Sequence, residues 1–547
     1  MKLRRREFLK LSAAGAVVSG LGILGTSKKL FQQKVNYNIP GQILGPNFEA
    51  GHKLRTASQL TASAFASEEV LIVGAGISGL SAGWWLLKNG FKNFKIFELE
   101  NEVGGNSRGS ANTISPYPWG AHYVPVANAD AEYLREFFRE LGVITGTDPQ
   151  GRDIYHDDYV CHDPQERLFF KGSWQEGLVP SHGLSHVEHQ EMKRFHNLME
   201  KFKIAKGKDG KRAFCIPLQN SSRDREFLNL DKISMKDFLR ENQFSTEPLH
   251  WYIDYCCRDD YGTTAENVSA WAGIHYFAGR NGNGAGLHDD TVITWPEGNA
   301  WLVKKLKEQL SAHLLPESML VSSKIEAKGV KAKILNLQSN LLTEYTSEQL
   351  IFSAPRYLWP YLFETDDKSA KARQSSLTYD PWLVANVSVQ SLPKGDGAAL
   401  AWDNVSYHSP SLGYIVANHQ APEIVKEKSV LTYYLPLNHL PPKLAREEAL
   451  SKKFVEWRKQ IVDDLESMHQ GISHHISSID VWIWGHAMIR PRVDFIWSDE
   501  RRKMQESLQN RIHFAHSDMS GISIFEEAQF WGVEAAKKVL TSQKRKS

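Results

Sequence analysis

The chain of 547 residues has few cysteines, almost no net charge and no internal repeat. Its four cysteines have no CxxC spacing, which excludes a disulfide framework, although one bridge could form if the protein is exported. The formal net charge of +2 gives no indication of a nucleic-acid partner. Beyond the N-terminal region, no segment is apolar for long enough to predict a membrane span. In other respects the composition is that of an ordinary globular protein. The chain is too long for one hydrophobic core.

Two stretches rich in histidine and acid, YHDDYVCHD and SHGLSHVEH, raise the question of a metal site. Zinc sites of known types combine two ligand pairs at characteristic spacings, and neither stretch has a second pair. We therefore expect both stretches to be exposed polar loops, and we predict no metal site.

The N-terminal sequence RRREFLKLSAAGAVVSGLGILG combines a basic pair, Arg5 and Arg6, with a short apolar stretch. The stretch is too short and too rich in glycine and alanine for a convincing membrane span. It resembles a bacterial twin-arginine export signal. The resemblance implies the twin-arginine export machinery as a partner and a periplasmic location. Because no A-x-A cleavage motif follows closely, the signal could remain as a membrane anchor.

The clearest motif begins at Val70, where the apolar run VLIV is followed by GAGISG and then a helical pattern. Gly74, Gly76 and Gly79 form G-x-G-x-x-G between the predicted strand and helix. Gly74 would make the tight turn, Gly76 would let a pyrophosphate approach the backbone, and Gly79 would let helix and strand pack closely. The same helix start brings two further candidate contacts for the cofactor, Ile77 and Ser78.

A second predicted strand, FKIFE, ends at Glu98. An acid at this place, ~20 residues after the first glycine, accepts hydrogen bonds from ribose hydroxyls in dinucleotide-binding domains. It also disfavours a 2′-phosphate on the ribose. The strand, the glycine motif, the helix and the acid together predict a βαβ unit that binds a dinucleotide.

The segment ENEVGGNSRG places a second glycine pair, Gly104 and Gly105, shortly after Glu98. A domain that binds only NAD does not need this pair. Here the chain resembles the flavin-containing amine oxidase superfamily, which includes amine oxidases, phytoene-type desaturases and protoporphyrinogen oxidases. Asn106 stands where that family has an arginine, and the later segment WGAHYVP resembles the family's Gly-Ala segment beside the flavin. The resemblance implies further contacts to FAD from Gly105, Asn106, Ser107, Gly120, Ala121 and His122.

The late segment FAHSDMSGISIFEEAQFWG resembles the family's FAG-x-E motif and the helix that follows it. Asp518 falls on the family's acid, and the resemblance implies that this segment contacts the ribityl–pyrophosphate part of FAD. Ile524 and Phe525 lie at the start of a helix whose N-terminus would point at the flavin, where negative charge develops on reduction. No cysteine lies near WGHAM to tether the flavin, so we expect noncovalent FAD.

Two further positions follow from weaker resemblances. SSKIEA is similar to the strand that covers the adenine, with Ile325 as the expected contact. Many amine oxidases carry a lysine near the reactive flavin nitrogen, in the strand equivalent to PWLVANVSV. Ala385 and Asn386 occupy the aligned positions, and Asn386 could hydrogen-bond the flavin or a water but cannot replace the lysine.

The segments WIWGHAM and WGAHY supply three further candidate catalytic residues, Trp484, His486 and His122. Histidine is a proton acceptor near neutral pH, and WIWGHAM precedes the C-terminal cofactor segment. The alternative is that a histidine between tryptophans only packs. HYFAGR and SYHSPSLGY could line the same cavity, although core packing is the expected role of their aromatic residues.

The predicted fold class is α/β, with a Rossmann-type FAD-binding domain interleaved with a substrate domain of sheet and helices. Residues 445–470 are expected to form one charged amphipathic helix. The predicted division is a twin-arginine segment 1–35, an arm 36–67, FAD-binding parts 68–150, 291–360 and 475–547, and substrate parts 151–290 and 361–474.

The resemblance implies an FAD-dependent oxidoreductase that takes a hydride from a small-molecule substrate, and an amine or polyamine is the expected one. Reoxidation would use oxygen or a quinone. Two alternatives stay open: a desaturase or dehydrogenase of a hydrophobic, isoprenoid-like substrate, and a flavoprotein isomerase or binding protein without net redox turnover.

Overall fold

The computed structural model describes residues 34–54, 61–288, 290–363, 377–393, 395–421 and 427–544. The twin-arginine pair lies outside these residues. From Asn36 onward the chain forms one compact unit. No helix of the described residues combines the length and the apolar character needed to cross a membrane.

The first of two large sheets carries the predicted βαβ unit. Strand Ala64–Val73 runs parallel to Phe94–Phe97 on one side and to Leu342–Phe352 on the other. The helix Ile77–Lys88 connects the first two, as the glycine motif predicts. The remaining strands of this seven-stranded sheet are Leu314–Leu315, Ser318–Glu326, Gly329–Asn336 and Ile512–Phe514.

The second sheet has eight strands, mostly antiparallel. Its centre is Tyr379–Val389, which pairs with Ser429–Pro436 and with Ile476–Ile489. Almost every residue of the first two strands is buried, as expected of strands covered on both faces. The other strands, in spatial order, are Gly41–Leu44 at one edge and Tyr414–Val416, Asp403–Ser406, Glu166–Phe170 and Ser173–Glu176 towards the other edge.

Three small two-stranded sheets and the helices complete the fold. The small sheets pair Tyr123–Pro125 with Val292–Thr294, Gly109–Ala111 with Pro116–Pro118, and Ile144–Thr147 with Asp153–Tyr155. The α-helices besides Ile77–Lys88 are Phe48–His52, Glu132–Glu140, His186–Ile204, Arg225–Leu228, Met235–Glu241, Glu247–Tyr261, Ala270–Ala278, Ala300–Leu310, Trp359–Leu362, Pro442–Ser451, Phe454–Met468, Asp499–Met504 and Phe525–Lys544.

The last helix packs on the helix of the βαβ unit, Ile77–Lys88. A side chain at Gly532 would place its Cβ 2.2 Å from the carbonyl oxygen of Ser78, so only glycine allows this approach. The hydroxyl of Ser78 donates a hydrogen bond of 2.8 Å to the carbonyl oxygen of Ala528. Helix Phe525–Lys544 therefore begins beside the glycine motif, although more than four hundred residues separate them.

The mixed α/β class is confirmed, whereas one predicted element is wrong in detail. The helix expected over 445–470 is two helices, Pro442–Ser451 and Phe454–Met468. The break falls at Lys452 and Lys453, whose backbones are extended. The division of the chain into interleaved domains stays a prediction.

Candidate functional site

A single cavity of about 470 Å³ joins the two large sheets. Its walls come from the glycine motif, from strand ends of the second sheet and from the start of helix Phe525–Lys544. Most of the predicted site residues line it, namely Gly74, Gly76, Ile77, Ser78, Glu98, Gly105, Asn106, Ser107, Gly120, Ala121, His122, Trp484, His486, Asp518, Ile524 and Phe525.

The glycine motif has the geometry of a pyrophosphate cradle. Gly74 has a φ of +97°, which favours glycine, and its amide donates to the carbonyl oxygen of Phe97 at 2.8 Å. A Cβ at Gly79 would lie 1.9 Å from the Gly74 carbonyl oxygen, so this glycine serves helix packing rather than the cavity wall. A Cβ at Gly76 would have only Gly105 Cα nearby, at 4.0 Å, so the protein itself leaves this position open. The free amides of the helix start face this opening.

Glu98 closes the cradle from below. Its carboxylate accepts hydrogen bonds from the amides of Ala75 at 2.7 Å and Glu100 at 3.1 Å. Burial raises the pKa of Glu98, against the lowering effect of these amides and of Arg108. Each carboxylate oxygen accepts one of these two hydrogen bonds. Each therefore keeps a lone pair for a hydroxyl donor in the cavity. The residues present therefore fit a dinucleotide with a free ribose.

The segment around Gly120 forms the next part of the wall. A Cβ at Gly120 would lie 2.2 Å from the backbone carbonyl oxygen of Asn106, so the two segments touch through their backbones. The side-chain amide of Asn106 donates to the carbonyl oxygen of Ala487 at 2.6 Å. The hydroxyl of Tyr434 donates to the Gly120 carbonyl oxygen at 2.8 Å. These contacts tie the cradle to the second sheet.

Asp518 lies in the wall formed by the C-terminal segment and is 1% exposed. One of its oxygens accepts hydrogen bonds from the amide of Arg356 at 2.8 Å and from the hydroxyl of Tyr379 at 2.7 Å. His516 lies 3.2 Å from the other oxygen. Burial favours the neutral acid, but His516, the amide and the phenol outweigh it and lower the pKa of Asp518. The ionised carboxylate therefore fixes the turn before helix Phe525–Lys544.

The candidate catalytic residues differ in position. His122 faces the cavity between the rings of Tyr434, at 4.8 Å between centroids, and Trp402, at 5.4 Å. Burial lowers its pKa to about 3. His486 stacks on Tyr357 at 4.5 Å, and desolvation together with Arg446 lowers its pKa to about 4. Both imidazoles are neutral at pH 7, so they can accept a hydrogen bond or a proton.

Trp484 is held in place by a hydrogen bond. Its indole Nε1 donates to the carbonyl oxygen of Trp119 at 2.6 Å, and its ring centroid lies 5.4 Å from that of Trp482. The bond fixes one face of the ring against the cavity. Trp484 therefore fits the predicted place beside a ligand and supplies no proton acceptor.

Besides Gly79, two predicted site residues, Asn386 and Ile325, do not line the cavity. Asn386 is 2% exposed, donates to the Pro118 carbonyl oxygen at 3.0 Å and accepts from the Thr432 hydroxyl at 2.8 Å. Asn386 lies on the same face of the strand as Val384 but two residues farther along, where it packs within the sheet, whereas Val384 lines the cavity. Ile325 lies near the end of strand Ser318–Glu326, whereas the cavity is lined by the first residues of that strand, Ser318, Met319 and Leu320.

Sequence analysis missed the acidic end of the cavity. Asp259 and Asp260 come from helix Glu247–Tyr261, and Asp403 begins a strand of the second sheet. Asp260 accepts a hydrogen bond of 2.5 Å from Arg280, which also donates to the hydroxyl of Tyr123 at 3.2 Å. The adjacent acids in CCRDDYG were the available signal, because an acid pair within an otherwise aromatic and buried helix is costly without a function.

The acids at this end hold their protons more tightly than exposed carboxyls do. Burial, and then Asp260, raise the pKa of Asp259 to about 7. Burial, with Glu166 and Asp259, raises the pKa of Asp403 well above its usual value. The carboxylate of Asp259 accepts no hydrogen bond from any described residue. A positive charge in the cavity would reverse these shifts, because it stabilises the ionised forms.

We expect Asp259→Asn to raise the free energy of unfolding at pH 8. A folded-state pKa raised above the unfolded value favours folding below the unfolded pKa, and that contribution is lost as the pH rises to about 7. At pH 8 wild type must therefore keep an unfavourable charge that the variant lacks. The expected gain is about 1–3 kcal/mol at pH 8 and is smaller at pH 5. Urea unfolding of both proteins at the two pH values measures it, and a variant less stable at pH 8 would contradict the argument.

The cysteines and the histidine-rich stretches have no part in this site. All four cysteines are buried and free. Within the described part of the chain, no group of histidine, cysteine and acid side chains could hold a metal ion.

Comparison with known proteins agrees with this architecture. Residues 72–141 match the family model for an NAD(P)-binding Rossmann-like domain. No curated protein matches the chain.

Several solved structures share the fold. A putrescine oxidase bound to putrescine has a TM-score of 0.65 at 14% identity, covering 87% of this chain and 100% of that chain. Cyclohexylamine oxidase from Brevibacterium oxydans has a TM-score of 0.63 at 14% identity, with the same coverage. A CLA-producing fatty acid isomerase from P. acnes has a TM-score of 0.58 at 16% identity, covering 87% and 98%. The chain therefore contains a Rossmann-like domain within a fold like that of these proteins.

Proposed function

We propose that this protein is an FAD-dependent oxidoreductase whose substrate is an amine or a polyamine. The observation that carries the proposal is the joining of two chemically different ends in one cavity. One end has the pyrophosphate cradle and Glu98, and the other has three carboxylates, Asp259, Asp260 and Asp403, against one guanidinium. A cofactor of dinucleotide size suits the first end, and a cation suits the second.

The residues that would hold FAD are those of the cradle and the C-terminal segment. Gly76 would leave room for the pyrophosphate, Glu98 would accept hydrogen bonds from the ribose, and Asp518 would fix the turn that contacts the ribityl chain. The amides at the start of helix Phe525–Lys544 favour negative charge near them. Bound there, the flavin would supply the redox chemistry by accepting a hydride from a substrate C–H bond.

The chain's own groups would orient and desolvate the substrate. The acidic end attracts an ammonium group, and the rings of His122, Tyr434 and Trp402 exclude water next to it. Neutral His122 or His486 could accept the proton that an ammonium loses before its carbon is oxidised. The strand where amine oxidases carry a lysine contributes Tyr379, Trp382 and Val384 to the described cavity wall, and none of these can take the part of that lysine.

An isomerase without net redox turnover is the second candidate. The missing lysine favours it, and the fatty acid isomerase from P. acnes has a similar fold. The acidic end argues against a fatty acid, because its carboxylate would meet three acids, and Asp260 already engages Arg280, the one arginine among the described lining residues. We therefore place the amine first.

The test is the visible spectrum of the purified protein under anaerobic conditions, titrated with ligands of equal chain length. We expect an oxidised-flavin band that octylamine or 1,8-diaminooctane bleaches and that octanoate leaves unchanged. A band that no amine bleaches would overturn the amine proposal and direct the search to lipid and isoprenoid substrates. A folded protein that takes up no flavin would overturn the whole proposal.

Export and reoxidation are further proposals. The sequence around Arg5 and Arg6 supports export to the periplasm by the twin-arginine machinery, with an uncleaved signal as a membrane anchor. Oxygen or a membrane quinone would then reoxidise the flavin. A fusion of residues 1–35 to a reporter that the twin-arginine pathway alone exports tests the first of these proposals, with Arg5→Lys/Arg6→Lys as the control.

A further inference from the structure

The acids of the cavity continue outward in a chain of neighbours. Asp403 lies directly opposite Glu166 in two adjacent parallel strands, and both Asp403 and Asp259 interact electrostatically with Glu166. Glu166 interacts in turn with Asp290. The side chains of Glu166 and Asp290 are exposed, whereas Asp259 and Asp403 line the cavity. A row of four carboxylates, Asp290–Glu166–Asp403–Asp259, thus leads from the surface to the cavity.

The positive charges nearby do not neutralise this row. Arg280 is engaged by Asp260 at 2.5 Å. Arg258 forms an ion pair of 3.3 Å with Asp254 on its own helix and donates to a backbone carbonyl oxygen. Asp259 is left without a hydrogen bond from any described residue. Desolvation and neighbouring acids raise the pKa values of Asp259 and Glu166 to about 7, so at pH 8 these members of the row are ionised and increase the local concentration of cations.

A buried acid outside the row gives a second, independent indication of a cationic ligand. Glu526 is 5% exposed, lines the cavity and interacts electrostatically with Arg280 and Asp260. Its carboxyl bonds to its own backbone amide and to no other described residue. The amide at the helix start satisfies part of this carboxyl, and its remaining lone pairs are open to a cation or another donor. It faces the same end of the cavity that the row leads to.

We propose that the row Asp290–Glu166–Asp403–Asp259 is the access route and second-nitrogen subsite for a linear substrate with at least two cationic nitrogens. The inference rests on the proposed function, because the substrate's other nitrogen neighbours the carbon that is oxidised. The exposed acids increase the rate of encounter, and their effect weakens with salt. Asp259 and Asp403 hold the second nitrogen inside the cavity and give specificity for diamines over monoamines.

The experiment compares two substrates that differ only in the second nitrogen, octylamine and 1,8-diaminooctane, with the FAD-loaded enzyme at pH 8. We expect a higher kcat/KM for the diamine with wild type. Asp259→Asn lowers the diamine-to-monoamine ratio about tenfold or more, since a single close charge pair contributes on this scale. Glu166→Gln lowers the diamine kcat/KM and its dependence on salt. Glu266→Gln is the matched control, because it removes one acid whose side chain is 69% exposed and away from the row.

A binding measurement under anaerobic conditions separates affinity from catalysis. The bis-quaternary cation hexamethonium, which has no free amine to oxidise, raises the Tm of the wild-type holoenzyme and not that of Asp259→Asn. Since no described residue donates a hydrogen bond to Asp259, the variant is expected to fold.

Three outcomes decide the inference. A ratio that falls in Asp259→Asn and not in Glu266→Gln supports it. A wild-type enzyme that oxidises octylamine as well as the diamine, or a ratio unchanged in Asp259→Asn, overturns it and leaves the amine oxidase proposal intact. If neither amine bleaches the flavin, the proposed function fails and this inference fails with it.

Discussion

Gly76→Val is expected to lose FAD while the protein stays folded. On the protein side, a Cβ at Gly76 meets only the Gly105 Cα at 4.0 Å, so the fold has room for the side chain. The same side chain would occupy the place where a pyrophosphate must approach the amides of helix Ile77–Lys88. We expect the affinity for FAD to fall by about 100-fold or more, which corresponds to ~2.7 kcal/mol.

The matched control is Gly79→Val, in the same motif but in a different role. Its Cβ would lie 1.9 Å from the Gly74 carbonyl oxygen, so the helix and strand could not pack. This variant should fail to fold and show no cooperative thermal transition, whereas Gly76→Val should fold and have the Tm of wild type. Titration with FAD, followed by flavin fluorescence, together with thermal unfolding of each variant, separates the two effects. A Gly76→Val protein that binds FAD as tightly as wild type does would contradict the proposal that the glycine motif binds the pyrophosphate.

Asp518→Ala is expected to destabilise the protein by about 3–5 kcal/mol, the cost of breaking a buried charge network by removing one partner. The change leaves the amide of Arg356 and the hydroxyl of Tyr379 without their acceptor in the core, and it removes the partner of His516. The turn before helix Phe525–Lys544 would lose its anchor, so flavin retention should fall as well.

The control for Asp518→Ala is Asp494→Asn, because asparagine removes the charge and tolerates the backbone φ of +60° at this position. Asp494 pairs with Lys232, but the side chains are 58% and 61% exposed, so the expected change is within about 0.5 kcal/mol. Urea unfolding gives both values. Equal stability of the two variants would show that the Asp518 network does not anchor the turn. The pKa of Asp518 is lowered, so its contribution is present above the unfolded pKa and is lost as the pH falls through the folded one.

Asp518 and Asp259 differ in their hydrogen bonds and in the direction in which their pKa values are shifted. Asp518 accepts two hydrogen bonds at one oxygen and has His516 beside the other, and its pKa is lowered. Asp259 accepts no hydrogen bond from the described residues, and burial and Asp260 raise its pKa to about 7. Replacing the first should cost stability, whereas replacing the second should increase stability at pH 8. An acid kept at a cost to folding is the kind of residue that function explains.

The amino-acid sequence by itself determined the βαβ unit and the residues around it. A strand, a glycine turn, a helix and an acid at fixed spacing form locally, so VLIV, GAGISG and Glu98 predict them without the rest of the chain. The helix over 445–470 shows the limit of such patterns. Its periodicity continues through Lys452 and Lys453, and no glycine or proline marks the break that the structure has there.

Only the tertiary structure decided which residues share the cavity. Asn386 and Val384 are two positions apart in one strand, and the packing of the sheet, not the motif, determines that Val384 reaches the cavity. Asp259, Asp403 and Glu166 are distant in sequence and have no common pattern. Helix Glu247–Tyr261 and the pairing of strands Asp403–Ser406 and Glu166–Phe170 bring them together, because long-range pairing sets which side chains meet.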